Sequence, residues 1–331
     1  MNRVLFVSSG NNSISGISSI IMNQGESLRQ QGIYLDYFPI KGKGVTGYLK
    51  NIYLLKQYLR IHEYEIIHAH NGLCGVVSFL SLHRKDSHKL LVSFMGDDLI
   101  GENRIDGSYT GLGNIMVSIN KWLAEKKLKT VIVKSAQMQK VISRANSIIL
   151  PNGVDFKQFY PMDKQKTRNR LGIPLEERMI LFVADPTRPE KNYRLAKQAT
   201  VMLSGDSSEL RVIQGVPQEA LNRYYNAADV CLLTSFHEGS PNVIKEAMAC
   251  NCPIVSTAVG DVKEVIGTTM GCYITSFEPE DVVEKLKMAF AFRQRTNGRD
   301  NIKHLESSII AKKLIKLYHS AIKPSYSLNK K

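Results

Sequence analysis

Apolar residues fall along the chain in short continuous runs, and between the runs they recur with helical spacing. Val4-Leu5-Phe6-Val7 is one such run and Val230-Cys231-Leu232-Leu233 another. Short segments apolar on both faces suit strands of a parallel sheet, because helices cover both sides of it. In the first half they predict strands near 3–8, 34–40, 65–70, 89–95, 130–134 and 147–151. In the second half they predict strands near 178–184, 210–214, 229–234, 253–258 and 271–275. Between two of these, Tyr48, Leu49, Ile52, Tyr53, Leu55 and Leu59 form a helical stripe. Strands alternating with helices predict βαβ units, and so an α/β protein built on parallel sheets. Two such blocks meet at Pro151-Asn152-Gly153-Val154, where Asn-Gly and Pro mark a turn.

Length agrees with that division, since 331 residues suit two domains better than one. The expected boundaries are 1–155, 156–305 and a closing helical stretch within 306–331. No apolar run reaches the roughly 18–20 residues of a membrane span. The start, Met1-Asn2-Arg3-Val4, runs directly into a strand and lacks a signal-peptide layout, so a cytoplasmic location is expected. Cys74, Cys231, Cys250, Cys252 and Cys272 are sparse and odd in number, which reads as buried free thiols in a reducing compartment. Cys250-Asn251-Cys252 lacks the spacer of a structural zinc site, so no metal is expected there.

Charge changes the picture more. The formal net charge is +14, and residues 1–150 hold 18 Lys and Arg against 10 Asp and Glu. Such an excess favours an anionic partner. No nucleic-acid motif accompanies it, so an anionic membrane surface is the better fit, and a peripheral position on the inner face of the membrane is expected.

The chemistry is concentrated in SFHEGSPNVIKEAMACNCPIVSTAVGD, residues 235–261. Glu238 follows an apolar strand, and Glu246 lies one and a half turns into a helix expected to start with Ser240 as its cap and Pro241 at its first position. A strand, a short loop and a helix N-terminus make an anion site. One carboxylate before that point and one behind it suit a ligand with phosphate in the middle and hydroxyls at both ends.

This pattern resembles the donor site of glycosyltransferase family 4, retaining enzymes of the GT-B fold. IILPNGVDFKQFYP at 148–161 is similar to that family's interdomain segment, YYNAADVCLLTS at 224–235 to the strand entering its site, and RPEKN at 188–192 to its phosphate turn. EIIHAHNG at 65–72 is similar to an N-domain strand end. The resemblance implies two Rossmann-like domains facing a cleft, with the last helix crossing back to the first. It implies a nucleotide sugar donor, UDP on family prevalence, and transfer without a metal or other cofactor to a glycan or lipid-linked acceptor in polysaccharide or cell-envelope synthesis. A non-catalytic nucleotide-sugar binder, or a transferase acting on a soluble sugar phosphate, are the alternatives.

Residue by residue, the resemblance makes Lys191 and Arg188 the cations for the departing diphosphate. Glu238 becomes the residue on the transferred sugar and Glu246 the one on ribose. Gly16, Gly239, Ser240, Asn242, Val243 and Ile213 complete the donor site, with His70 and Asp98 on the acceptor side. Two positions depart from the family pattern. The usual Arg five before the Lys is here Pro186, with Arg188 three before, and the usual His-Gly is Met95-Gly96, which weighs against acid–base help there. His68 and His70 are expected to face opposite sides of their strand, one packed and one lining the cleft. Asp97-Asp98 invites a metal but reads first as a helix cap or a solvated turn.

Overall fold

The computed structural model describes residues 3–11, 16–42, 44–101, 111–142, 147–203 and 207–322. These divide into two compact units, one running to Gly153 and resuming at Ser307, the other spanning Val154–Glu306.

The first unit is a six-stranded parallel sheet of β1 (Arg3–Ser9), β2 (Tyr34–Ile40), β3 (Ile66–His70), β4 (Leu90–Ser93), β5 (Thr130–Val133) and β6 (Ser147–Ile149), in the order β2-β1-β3-β4-β5-β6. Its helices are α1 (Ser19–Arg29), α2 (Gly44–Ile61), α3 (Gly72–Ser81), α4 (Asp97–Ile100), α5 (Gly111–Lys126) and α6 (Ala136–Val141). Leu5, Val7, Ile67, Ala69 and Val92 pack on one face against Leu55, Val77 and Leu123.

The second unit holds a five-stranded parallel sheet of β7 (Arg178–Val183), β8 (Ser208–Ile213), β9 (Val230–Leu233), β10 (Ile254–Thr257) and β11 (Cys272–Thr275), in the order β11-β10-β9-β7-β8. Its helices are α7 (Lys164–Leu171), α8 (Tyr193–Met202), α9 (Gln218–Ala227), α10 (Asn242–Ala249), α11 (Val262–Ile266), α12 (Pro279–Phe292) and α13 (Gly298–Asn301). Ile180, Phe182, Leu232 and Val255 meet Leu195, Ala199, Val282 and Leu286 in its core. All eleven predicted strands are present.

The closing helical stretch, expected within 306–331, begins at Ser307. α13 and a 3-10 turn at Lys303–Leu305 precede α14 (Ser307–Ile322). α14 returns to the first unit and packs on α1, burying Ile310, Ala311, Leu314 and Tyr318. The cysteines are free thiols; four are buried and Cys272 partly so.

Candidate functional site

In the second unit β7 lies between β8 and β9, so the chain leaves β7 to one side and later returns on the other. At such a switch point the loops at the carboxyl ends of the strands part and leave room for a ligand. The loop after β7 is shaped by Asp185, whose Oδ1 accepts from the Thr187 N–H at 2.9 Å and its hydroxyl at 2.7 Å. A 3-10 turn at Pro189–Lys191 follows, and Asn192, at φ 49°, turns the chain into α8. The loop after β9 is stitched to it. The Thr234 hydroxyl donates to the carbonyls of Lys191 and Asn192 at 3.1 and 3.0 Å, and the Phe236 N–H donates to the Glu190 carbonyl at 2.9 Å.

That stitching brings Lys191 and Glu238 together. The Lys191 ammonium donates to Glu238 Oε1 at 2.6 Å, and the Ser235 hydroxyl donates to the same oxygen at 2.9 Å. Oε2 accepts no hydrogen bond from the described residues. An ammonium has three N–H donors, so holding one carboxylate leaves two for an anion. Arg188 is placed differently. Its guanidinium pairs with Glu190, and its side chain is 53% exposed against 16% for Lys191.

α10 begins one residue later than expected. Pro241 is its cap and Asn242 its first residue, and no side chain caps it. Ser240 is not available because its hydroxyl donates to Asp261 Oδ2 at 2.6 Å and accepts from the buried Lys245 ammonium. Asn242 Oδ1 is buried and lacks a hydrogen-bond partner, Val243 is half-buried, and Gly239 is buried in the loop.

Glu246 is therefore the fifth residue of α10, and it is buried rather than solvated. The Tyr225 hydroxyl, from α9, donates to its Oε2 at 2.7 Å. Burial pushes the Glu246 carboxyl up to about 7, although the Tyr225 hydrogen bond and the Lys245 charge pull the other way. The same burial, with Glu246 beside it, holds the Tyr225 phenol well above its usual range. Ile213 ends β8, and Gly215 follows it at φ +65°.

Gly16, His70 and Asp98 lie in the first unit. Gly16 sits just before α1 at φ +77°, a conformation that favours glycine; Asn12–Ser15 of the same loop are outside the described residues. The two histidines do not face opposite sides. Residues two apart on a strand share a face, and the rings of His68 and His70 lie 4.2 Å apart. Both are buried. His68 is within hydrogen-bond distance of the Tyr318 hydroxyl (2.6 Å) and the Ser93 hydroxyl (2.8 Å), and burial lowers it to about 3. His70 Nε2 has no hydrogen-bond partner, and burial, with His68 and Lys134 nearby, holds the ring well below its usual range.

Asp98 works on its own backbone. It accepts from the N–H groups of Gly72 (2.8 Å), Met95 (2.9 Å) and Gly96 (3.0 Å), which fixes the turn after β4 against the start of α3. Burial still raises its carboxyl to about 6. Among the described residues no group of three or more His, Cys, Asp or Glu side chains could hold a metal.

Tyr225, Ser235, Lys245 and Asp261 were not singled out from the sequence. Lys245 carried a usable signal, the one cation in the short helix Asn242–Ala249, where all residues but Asn242, Lys245 and Glu246 are apolar.

Residues 177–291, which contain every donor-side candidate named above but Gly16, match the family described as Glycosyl transferases group 1. Over that stretch the chain is similar to the group 1 glycosyltransferases. Among its relatives, a putative teichuronic acid biosynthesis glycosyltransferase, TuaC of Bacillus subtilis, is 28% identical over 151 residues. The match covers 40% of this chain and 39% of TuaC, so it spans about two-fifths of that relative's length. The sucrose-phosphate synthase of Thermosynechococcus elongatus shares the fold at a TM-score of 0.79 and 18% identity, covering 96% of this chain and 99% of that one. Anabaena Alr3699/HepE, solved in complex with UDP-glucose, gives 0.70 at 16% identity over 96% and 99%. The fold is GT-B.

Proposed function

We propose that this protein transfers a sugar from a nucleoside diphosphate donor, with retention, to a glycan or lipid-linked acceptor in polysaccharide or cell-envelope assembly. The observation that carries the reading is the Lys191–Glu238 contact at 2.6 Å, on the two loops that meet over β7. Lys191 would meet the diphosphate, and Glu238, with Oε2 uncommitted, the hydroxyls of the sugar. Glu246, buried behind the N-terminus of α10, would accept from the ribose hydroxyls. Donor N–H groups at a helix start add positive potential where the leaving group gains charge, so transfer needs no metal. Arg188 takes part only after leaving Glu190. UDP is the nucleotide favoured by the family resemblance, and HepE was solved with a UDP sugar.

The acceptor is assigned to a membrane on the outer faces of α2, α3 and α5, which pack side by side. Tyr53 is 65% exposed, Ile61 78% and Ile115 57%, with Leu49, Leu80 and Trp122 also exposed. Lys50, Lys56, Arg60 and Lys126 are exposed on the same helices, and Lys127 lies over the Trp122 ring at 5.0 Å. Large apolar side chains among cations suit an anionic bilayer surface, where each Lys or Arg contributes about 1 kcal/mol. No helix among the described residues is long and apolar enough to cross a membrane.

Calorimetry with bare nucleoside diphosphate tests the donor assignment. Glu246→Gln should weaken binding and Glu238→Gln should leave it nearly intact while transfer falls. Equal loss in both variants would overturn it.

A further inference from the structure

Lys245 is fully buried in α10, one residue before Glu246, and the mechanism above does not use it. Enclosing an ammonium costs several kcal/mol unless partners meet it. Burial lowers the affinity of Lys245 for its proton, and the carboxylates of Asp261 and Glu246 oppose that. Its partners are specific. The ammonium donates to Ser240 Oγ and lies 3.8 Å from Asp261 Oδ2, while Ser240 Oγ donates to that same oxygen at 2.6 Å. Helix, loop and the turn after β10 thus close a triangle of side chains.

Asp261 is turned away from its own helix to complete it. It stands at the cap of α11 but makes no side-chain cap bond, and its Oδ1 is buried without a hydrogen-bond partner. Beside it Gly260, at φ +56°, presses on the same loop: a Cβ there would stand 2.8 Å from the Gly239 carbonyl oxygen and 3.0 Å from that of Glu238. The loop from Glu238 to Ser240 is therefore held at one end by Lys191 and Ser235 and at the other by Lys245 and Asp261.

We propose that Lys245 is a positioning residue, which fixes the Glu238–Gly239–Ser240 loop through Ser240 and Asp261 so that Glu238 meets the transferred sugar. This rests on the sugar-transfer reading above. Lys245 touches no donor atom itself; its effect passes through the loop. It should govern turnover more than nucleotide affinity, which depends on Lys191 and Glu246.

The test uses the full chain in four forms: wild type, Ser240→Ala, Ser240→Thr and the charge-balanced pair Lys245→Met/Asp261→Asn. Amide exchange over residues 238–242, nucleoside diphosphate affinity, kcat for transfer and thermal midpoint are measured on each. Ser240→Ala and the double variant should exchange faster in that segment alone and lose roughly 10- to 100-fold in kcat; nucleoside diphosphate affinity, measured at about pH 8.5 so that Glu246 is ionised in spite of the lost Lys245 charge, should stay within about twofold of wild type. Ser240→Thr, which keeps the hydroxyl, should restore turnover. Unchanged exchange, unchanged kcat, or losses of kcat, affinity and midpoint in parallel would each overturn the proposal. If wild type transfers no sugar, the functional reading fails by itself, and exchange over 238–242 still decides whether the triangle holds the loop.

Discussion

A carboxyl raised by burial leaves a measurable mark on stability. Between its ordinary 4.5 and about 7, Glu246 is protonated in the folded chain and ionised in the unfolded one. The folded state then binds more protons, so its stability falls as pH rises through that window and levels off above it. A shift of this size corresponds to about 3 kcal/mol in full, and about 2–3 kcal/mol between about pH 5 and about pH 8.5. Glu246→Gln removes the titration but keeps an oxygen that can accept from the Tyr225 hydroxyl. Relative to wild type, the Gln variant should gain about 2–3 kcal/mol over that pH range, or roughly 5–10 °C in midpoint for a unit of this size. Chemical and thermal denaturation of the ligand-free protein at the two pH values, both variants side by side, is the assay. Nucleotide affinity should run the other way, rising with pH up to about 7 by as much as about tenfold per unit, because an ionised carboxylate accepts more strongly from ribose hydroxyls than a protonated one does. A stability difference between the variants that does not change with pH would refute the burial argument.

Lys191→Ala should lower turnover about 10²-fold or more, the cost of losing a preorganised charge contact, and near-normal turnover would remove Lys191 from the diphosphate site. Transfer should persist in excess chelator; activity lost there and restored only by Mg²⁺ or Mn²⁺ would assign the leaving group to a metal. Lys245→Ala alone should lower stability by about 3–5 kcal/mol, because it leaves Asp261 buried without its cation, and denaturant titration would show a smaller loss when Asp261→Asn is added. Leu49→Ser with Tyr53→Ser should reduce sedimentation with anionic vesicles and leave nucleoside diphosphate affinity unchanged; undiminished vesicle binding would move the membrane contact elsewhere.

The strands were legible because each is apolar on both faces, and a parallel sheet covered by helices demands that. The Glu238–Glu246 spacing was legible because one loop and one short helix fix it. What failed was side-chain direction and burial. His68 and His70 were given opposite faces, although a spacing of two on a strand puts them on one. Ser240 looked like a helix cap because its residue type favours that use, yet Asp261 and Lys245, neither of them its neighbour in sequence, claim its hydroxyl. Tyr225 and Glu246 are 21 positions apart on different helices, and a local pattern holds no trace of such a pair. The resemblance sets Arg188 with Lys191 on the diphosphate; in the structure its guanidinium pairs with Glu190, a contact that the resemblance does not indicate.

The placement of α14 bears on how the chain is made. Its Tyr318 reaches His68 in β3, and its inner face covers α1, so the first sheet lacks one of its covers until the ribosome has passed the whole of Val154–Glu306. At about 5–20 residues per second that delay is roughly 10–30 s. For that time a nascent sheet with a buried histidine and an apolar helix face must stay open, and the second unit is complete before the first can close.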